Sequence, residues 1–220
     1  MLIALNSYHQ NTKHSYNSIR TSPNRVDWNN PPNKFKFYSK EYKRVHLNSS
    51  NQNYNFLYLI SGISAKKSYP SGEYYLRINP SAGALYPNEV YFQVRNVDGF
   101  EDGIYHIEVG TSSVVLLKKL EKNEGIEEIL GLKYSVDGFI FFISSLYFRS
   151  SWKYKNRAFR YCLLDAGHLI GTMEASSYLF DKKFEILYDF SKEKLNDFFN
   201  FDGKEFFTSI VISGDKKESK

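Results

Sequence analysis

Apolar runs separated by short polar turns dominate the chain from residue 54 onward. The run Tyr54–Ile60 predicts a buried helix that ends at Gly62. Phe139–Ser145 is continuously apolar, which is typical of a central strand covered on both faces. Small and apolar residues recur at helical spacing over Ala158–Phe180, so this segment is predicted to be a long core helix.

Shorter patterns complete the predicted core. Strand patterns occur at Val90–Arg95, Ile104–Val109, Val114–Leu117, Phe184–Tyr188 and Phe207–Ser213. Two short helices are predicted, a charged one at Glu121–Leu130 and another at Lys192–Phe199, and turn residues predict a loop over Ser68–Tyr74. Because helices and strands are mixed without regular strand–helix–strand alternation, the pattern favours the α+β class over a doubly wound parallel sheet.

The two ends of the chain differ from this core. Residues 1–53 are polar and contain several prolines, which predicts a short helix near Tyr8–Ser18 followed by an extended arm. This arm has too few aliphatic residues to fold alone, so we expect it to pack on the domain or on a partner subunit. The domain itself is predicted to span residues 54–214, and residues 215–220 to form a charged, solvated tail.

Composition and charge narrow the function classes. The 220 residues carry a net charge of +5, but the cations are spread thinly and form no cluster of the kind that tracks nucleic acid. The single cysteine, Cys162, excludes an intramolecular disulfide and a cysteine metal cluster, and no other ligand spacing indicates a metal. Without a signal peptide or a stretch of membrane-spanning length, the sequence predicts a soluble, cytoplasmic protein with no membrane partner.

The stretch of residues 77–87, RINPSAGALYP, is the first candidate for chemistry. Small residues after Pro80 let the backbone approach a flat ligand closely. Ser81 is placed to cap a following helix and aim its free N–H groups at an anion, and Arg77 adds a cation nearby. A plain capping loop between two core elements is the alternative, and the residues alone favour it.

Two further stretches carry polar groups. Residues 148–161 interleave Arg, Trp, Lys and Tyr, which either stack on rings and pair with negative charge or form a solvated basic face. Asp165 and His168 are three positions apart and would share one helix face. They form either an acid–base pair or a structural hydrogen-bonded pair, and the second interpretation is favoured.

Taken in order, these stretches resemble a known pattern. "RxxPSAGALYPxEVY", "GxYH" and "RSxWKYxNRAxRYxLLDAGH" are similar to the SagB-type (SagB/ThcOx) dehydrogenase branch of the nitroreductase superfamily, from about residue 7 to residue 214. The resemblance implies a mainly antiparallel sheet flanked by helices, a homodimer with FMN at its interface, and oxidation of azoline rings in ribosomal peptides to azoles. Peptide-modifying partner proteins are implied as well.

The same resemblance implies roles for single residues. Lys153 and Tyr154 are the implied candidates for the base that takes a proton from the ring carbon while hydride passes to flavin N5. The implied cofactor-binding residues are Arg77, Pro80, Ser81, Ala82, Gly83, Arg157 and Lys216.

Two features depart from the nitroreductase pattern and keep other functions open. An Arg-Arg-Ser-type phosphate clamp is absent, with Lys36 or Arg44 as possible substitutes. The glycine-rich segment expected after the long helix is replaced by Phe184–Phe190, which contains no glycine. The alternatives are an NAD(P)H-dependent nitro or quinone reductase, and a flavin-free binding or scaffold subunit of a peptide-modifying complex.

Overall fold

A computed structural model describes residues 2–23, 25–48, 50–70, 72–121 and 124–218. The strands are β1 Arg44–His46, β2 Ile63–Tyr69, β3 Gly72–Arg77, β4 Asn88–Arg95, β5 Gly103–Glu108, β6 Ser113–Lys119, β7 Tyr134–Leu146, β8 Glu185–Leu187 and β9 Glu205–Glu218. The helices are α1 Leu2–Thr12, α2 Tyr16–Arg20, α3 Gln52–Ser61, α4 Tyr147–Tyr154, α5 Ala158–Leu179 and α6 Lys192–Phe199.

A seven-stranded sheet in the order β1-β6-β5-β4-β7-β9-β8 forms the centre, and β2 and β3 form a separate two-stranded sheet. Each pair of neighbouring strands in the large sheet runs antiparallel. Helices flank this sheet, so the predicted α+β class is confirmed.

The central strand β7 is buried on both faces because its apolar residues alternate between two cores. Phe139, Phe141 and Ile143 join the core beneath α3 and α5. Ile140 and Phe142 join the opposite core, which α6 covers through Leu195. Successive side chains of a strand point to opposite faces, so a continuous apolar run is the pattern that a doubly covered strand requires.

The two predicted core helices are confirmed with small changes of boundary. In α3, Asn51 caps the first turn by accepting from the Asn53 N–H at 2.7 Å, and the helix ends at Gly62. In α5, buried residues recur every three or four positions from Ala158 to Ser177 and pack on the sheet. None of the helices described is long and apolar enough to cross a membrane.

The N-terminal region contains more regular structure than expected. The single helix predicted near Tyr8–Ser18 is wrong, because α1 ends at Thr12 and a capping box of Ser15 and Ser18 starts a second helix, α2. The arm also contributes a strand that was not predicted, β1, to the edge of the sheet. Arg44 in β1 donates to both carboxylate oxygens of Glu108, which fastens the arm to β5.

Three other segments differ from their predictions. Most of the loop predicted at Ser68–Tyr74 is the end of β2 and the start of β3, and its Ser71 lies outside the described residues. The helix predicted at Glu121–Leu130 is wrong: residues 126–131 form a bend and turns, and Arg95 holds this segment by bonding to Glu127 and to the backbone carbonyl of Glu124. Residues 215–218 continue β9 instead of forming a tail; residues 219 and 220 lie outside the described part.

Candidate cofactor site

The small-residue loop, residues 78–87, connects β3 to β4 in a strained conformation. Gly83, Ala84 and Tyr86 all have positive φ angles, of 64°, 52° and 48°. A left-handed conformation is unfavourable for residues with a side chain, and it recurs at functional sites. Only a single 3-10 turn, Ala82–Ala84, follows Ser81, so the predicted helix and its cap are absent.

Asp165 of α5 anchors this loop. Its carboxylate accepts from the Ser81 hydroxyl at 2.5 Å and from the Ala82 N–H at 3.2 Å, while Ser81 Oγ accepts from the Tyr86 N–H at 2.9 Å. The predicted hydrogen-bonded pair of Asp165 with His168 is therefore corrected, since His168 is exposed and Asp165 bonds to the loop. Burial raises the pKa of Asp165 above its usual value despite these donors.

Lys153 and Tyr154 lie directly against Gly83. A Cβ atom built on Gly83 would lie 2.6 Å from Tyr154 Oη and 3.0 Å from Lys153 Nζ, so a larger residue would force these side chains to move. Tyr74 donates from its hydroxyl to the Gly83 carbonyl at 3.1 Å. The chain turns sharply after these two residues, at Lys155, whose φ and ψ are 49° and −130°. The structure thus brings together residues that are about 70 positions apart.

Arg157 lies against Tyr161, whose ring packs on that of Tyr154. The rings of Tyr154 and Tyr161 are 4.2 Å apart, and the Arg157 guanidinium lies 5.5 Å from the Tyr161 ring centre. Burial is the main cause that raises the pKa of Tyr154, so its phenol stays protonated at neutral pH.

A cavity of about 550 Å³, which we call the loop cavity, lies beside Gly83 and Lys153. Its walls come from the arm, from β3, from the loop and from α4. The aromatic and proline residues that line it are Trp28, Pro31, Pro32, Phe35, Tyr74, Tyr75, Tyr86 and Trp152. Lys34 and Lys153 are its cations and Glu73 is its acid. The cavity therefore combines flat apolar walls with a few charged groups, as small-molecule sites do.

Arg77 does not line this cavity. Its side chain is buried and donates to the backbone carbonyls of Lys34 at 3.1 Å and Asn88 at 3.5 Å, with the Tyr86 ring 4.9 Å away. Burial lowers the pKa of this guanidinium to about 10. In this structure the Arg77 side chain joins the arm to the start of β4.

Sequence reasoning missed a second buried arginine with the same geometry. Arg149 donates to the carbonyls of Asn33 at 3.0 Å and Tyr86 at 2.8 Å, and forms an ion pair with buried Glu89. His106 Nε2 lies 3.0 Å from the same carboxylate. Arg149 stands in the motif "RSxWKYxNRAxRYxLLDAGH", but only the long-range contact with the arm shows what it holds.

The remaining candidates lie elsewhere. Lys216 pairs with Glu185 and lies over the ring of Tyr134. At about 3.3 Å per residue, Lys216 stands roughly 35 Å along β9 from the end of that strand that faces the loop. Of the two suggested substitutes for the phosphate clamp, Lys36 is paired with Glu205 and Arg44 with a buried carboxylate of β5. The described residues contain no group of three or more His, Cys, Asp or Glu side chains able to hold a metal ion.

Comparisons with known proteins bear on the fold. No protein-family profile matches the chain. A Methanocaldococcus jannaschii protein named "Putative nitroreductase" is 34% identical over 94 residues, which make up 41% of this chain and 46% of that protein. The crystal structure of a "putative nitroreductase" from Anabaena variabilis matches 94% of this chain with a TM-score of 0.82 and 27% identity, over 45% of its own length. The chain has a nitroreductase-like fold.

Two more distant structures share that fold. The Escherichia coli microcin synthetase McbBCD complex, with truncated pro-MccB17 bound, matches 95% of this chain and 86% of its own chain, with a TM-score of 0.58 and 16% identity. The crystal structure of a "putative nitroreductase" from Ralstonia eutropha matches 84% of this chain and 80% of its own chain, with a TM-score of 0.57 and 12% identity. At these identities the likeness shows the fold alone. The chain spans less than half of the M. jannaschii and A. variabilis proteins.

Proposed function

We propose that the chain is a flavin-dependent oxidoreductase that binds FMN in the loop cavity and oxidises azoline rings of ribosomal peptides to azoles. The observation that carries the proposal is the packing of Lys153 and Tyr154 against Gly83, because Gly83 and Lys153 both line the loop cavity. That packing places an amine able to move a proton at the wall of a cavity with flat aromatic sides. The nitroreductase-like fold and the SagB-type motif both support this assignment.

The residues of the cavity fit FMN. Its volume of about 550 Å³ lies within the range of small-molecule sites. Trp28, Trp152 and the tyrosines of β3 offer flat walls to a planar ring, and Gly83 lines the same cavity. Lys34 and Lys153 offer positive charge for a phosphate or for a reduced, anionic ring.

Each residue has a distinct part in the proposed reaction. When bound, FMN supplies a hydride acceptor. We assign to Lys153 Nζ the removal of the proton from the ring carbon, because Lys153 lines the loop cavity, whereas Tyr154 is packed on Tyr161 and is not among the lining residues. Asp165 holds the loop through Ser81, and the two buried arginines hold the arm that forms the opposite wall.

Two observations bear on the substrate. The structural neighbour from E. coli is titled as a microcin synthetase with a truncated peptide bound, which supports a peptide substrate and peptide-modifying partner proteins for this chain. The second candidate function is NAD(P)H-dependent reduction of nitro compounds or quinones. It is supported by the names of the M. jannaschii and A. variabilis proteins.

The exposed face of α5 supports a homodimer. Phe159, Leu163 and Leu164 are exposed there, and added Cβ atoms on Gly167 and Gly171 would meet no atom within 4 Å. An exposed apolar stripe with small residues along its centre suits close packing against a second helix. We propose that two copies pair through α5, close to the loop that α5 anchors.

Single-turnover flavin reduction tests the function. The FMN-loaded protein is mixed with an azoline-containing peptide, and flavin bleaching is followed. Lys153→Arg keeps the positive charge but cannot act as a base, so it should bind FMN and lose at least about a hundredfold in reduction rate. Lys67→Arg, an exposed β2 residue, is the matched control and should react like the wild type.

Three outcomes would overturn the proposal in different ways. Equal reduction rates for wild type and Lys153→Arg would remove Lys153 as the base. Bleaching by NADH in the presence of a quinone, without bleaching by the peptide, would favour the reductase. A protein that stays colourless after incubation with FMN would favour the flavin-free scaffold subunit.

A further inference from the structure

The chain contains two tryptophans, and both stand at the wall of the loop cavity. Trp28 comes from the arm, and Trp152 comes from α4. Their ring centres are 5.2 Å apart and their planes meet at 87°, which is a favourable edge-to-face contact. This contact joins the arm to the helix that carries Lys153, the residue directly after Trp152.

The two rings differ in their exposure to solvent. Trp152 is 8% exposed and acts as the support, whereas Trp28 is 71% exposed. Since Trp28 also lines the cavity, its ring stands on the solvent side of it. Covering an exposed indole with another flat, apolar group removes a large area from water, which is favourable. A ligand that enters the cavity from solvent therefore meets a ring on which it can stack.

The backbone that carries Trp28 is held in place on both sides of the ring. Trp28 lies in a turn in which the Asn30 N–H donates to the Asp27 carbonyl at 3.4 Å. The Asp27 carboxylate accepts from the Asn29 N–H at 3.1 Å and from the Asn30 side-chain amide at 2.8 Å. Trp152 Nε1 donates to the same Asp27 carbonyl at 2.8 Å. Because the turn and the contact with Trp152 fix the ring beforehand, stacking on it costs little ordering entropy.

The exposure of Trp28 favours a substrate contact over a contact with the cofactor. A peptide reaches the cavity from solvent, so its ring passes the exposed indole before it reaches the Lys153 amine on the same cavity wall. An azoline ring is nearly flat because of its C=N bond. Its face can therefore lie on the face of an indole, whereas a puckered, saturated ring fits less closely.

We propose that Trp28 is a specificity-determining residue, whose indole stacks on the flat heterocycle of the peptide substrate and discriminates against saturated rings. Trp152 holds the indole in position, and the arm turn presents it to solvent. The identity of the heterocycle as an azoline rests on the proposed function, whereas the preference for a flat ring does not.

The first test uses the flavin-free protein and the fluorescence of its two tryptophans. Thiazole-4-carboxamide, which has a flat ring, is compared with saturated thiazolidine-4-carboxamide at a mildly alkaline pH at which both are uncharged. The flat ring should bind at least about fivefold more tightly to the wild type. Trp28→Leu should lose this preference, with Trp152 left as the reporter, and Trp28→Phe should keep it. Tyr16→Leu removes another exposed ring and is the matched control, which should behave like the wild type.

The outcome of this titration does not depend on flavin chemistry. Equal affinities of the wild type for the two rings, or a preference that survives in Trp28→Leu, would overturn the proposal. A preference that Trp28→Leu abolishes, in a protein that fails to oxidise azoline peptides, would support the stacking role of Trp28 and contradict the proposed function.

The second test separates a substrate contact from a cofactor contact. Trp28→Leu should bind FMN like the wild type, as measured by quenching of flavin fluorescence. In the FMN-loaded protein it should raise KM for an azoline peptide about tenfold and change kcat less than about twofold, and Trp28→Phe should restore most of the loss. A tenfold loss of FMN affinity in Trp28→Leu would assign the ring to the cofactor, and an unchanged KM would remove it from substrate binding. Either result would overturn the proposal.

Discussion

Replacing Gly83 with alanine tests the geometry of the loop most sharply. The substitution adds a Cβ atom to a residue with φ of 64°, and that atom would lie 2.6 Å from Tyr154 Oη. The Tyr154 ring is packed on Tyr161 at 4.2 Å, so its hydroxyl cannot move aside easily. Two separate costs therefore act on the same variant.

The structure allows the two costs to be separated. The left-handed conformation alone should cost about 1–2 kcal/mol for alanine. Gly131 has φ of 70° and open space around it, so Gly131→Ala is the matched control that carries this cost alone. The contact with Tyr154 should add about 1–3 kcal/mol to Gly83→Ala, which is typical of overpacking.

Urea unfolding of four variants measures the second cost. The free energies of unfolding of Gly83→Ala, Tyr154→Phe, their double variant and Gly131→Ala are compared with that of the wild type. Phe lacks the hydroxyl that the Cβ atom meets. The double variant should therefore be about 1 kcal/mol more stable than the summed losses of Gly83→Ala and Tyr154→Phe predict. Additive free energies, or equal losses for Gly83→Ala and Gly131→Ala, would refute the packing of Tyr154 against Gly83.

Three further predictions concern the ions and faces around the site. Burial alone would raise the pKa of Glu89, but Arg149 lowers it below the ordinary 4.5. The contribution of Glu89 to stability is therefore lost as the pH falls below that value. In Glu89→Gln, the free energy of unfolding in urea should depend less on pH over this acidic range. The same variant should lose about 3–5 kcal/mol at neutral pH, because it leaves a buried guanidinium unpaired. Asp165→Ala removes the acceptor of Ser81 and should cost about 1–3 kcal/mol and weaken FMN binding, whereas unchanged FMN affinity would contradict its anchoring role. Leu164→Glu should turn a dimer into a monomer in light scattering, and a persistent dimer would place the interface elsewhere.

The core of the fold was predictable because its pattern is strong. The seven-residue apolar run in β7 fills the cores on both faces of the sheet, the helical spacing of α5 buries one face of a helix, and both were identified. The β2–β3 hairpin was missed because it lies outside the large sheet and carries exposed lysines such as Lys66 and Lys67. The bend and turns of residues 126–131 were mistaken for a helix because long-range bonds from Arg95, absent from any local pattern, hold this segment in place.

The candidate site was predictable only in part. Small residues around Gly83 indicated a close approach, and the structure shows which side chains make it. The location of Arg77 was not predictable, because its burial depends on the Lys34 carbonyl, which comes from a distant part of the chain. The ion pair of Lys36 with Glu205 was also missed, since its two residues lie on separate segments of the chain.

The central claim is that the loop cavity holds FMN, and a titration of the flavin-free protein with FMN tests it most directly. Quenching of flavin fluorescence should saturate at one FMN per chain for the wild type. Gly83→Val, which places a branched side chain against Lys153 and Tyr154, should weaken binding at least about tenfold, while Gly131→Val should bind like the wild type if it remains folded. Absence of saturable binding to the wild type, or equal affinity of the wild type and Gly83→Val, would contradict the account.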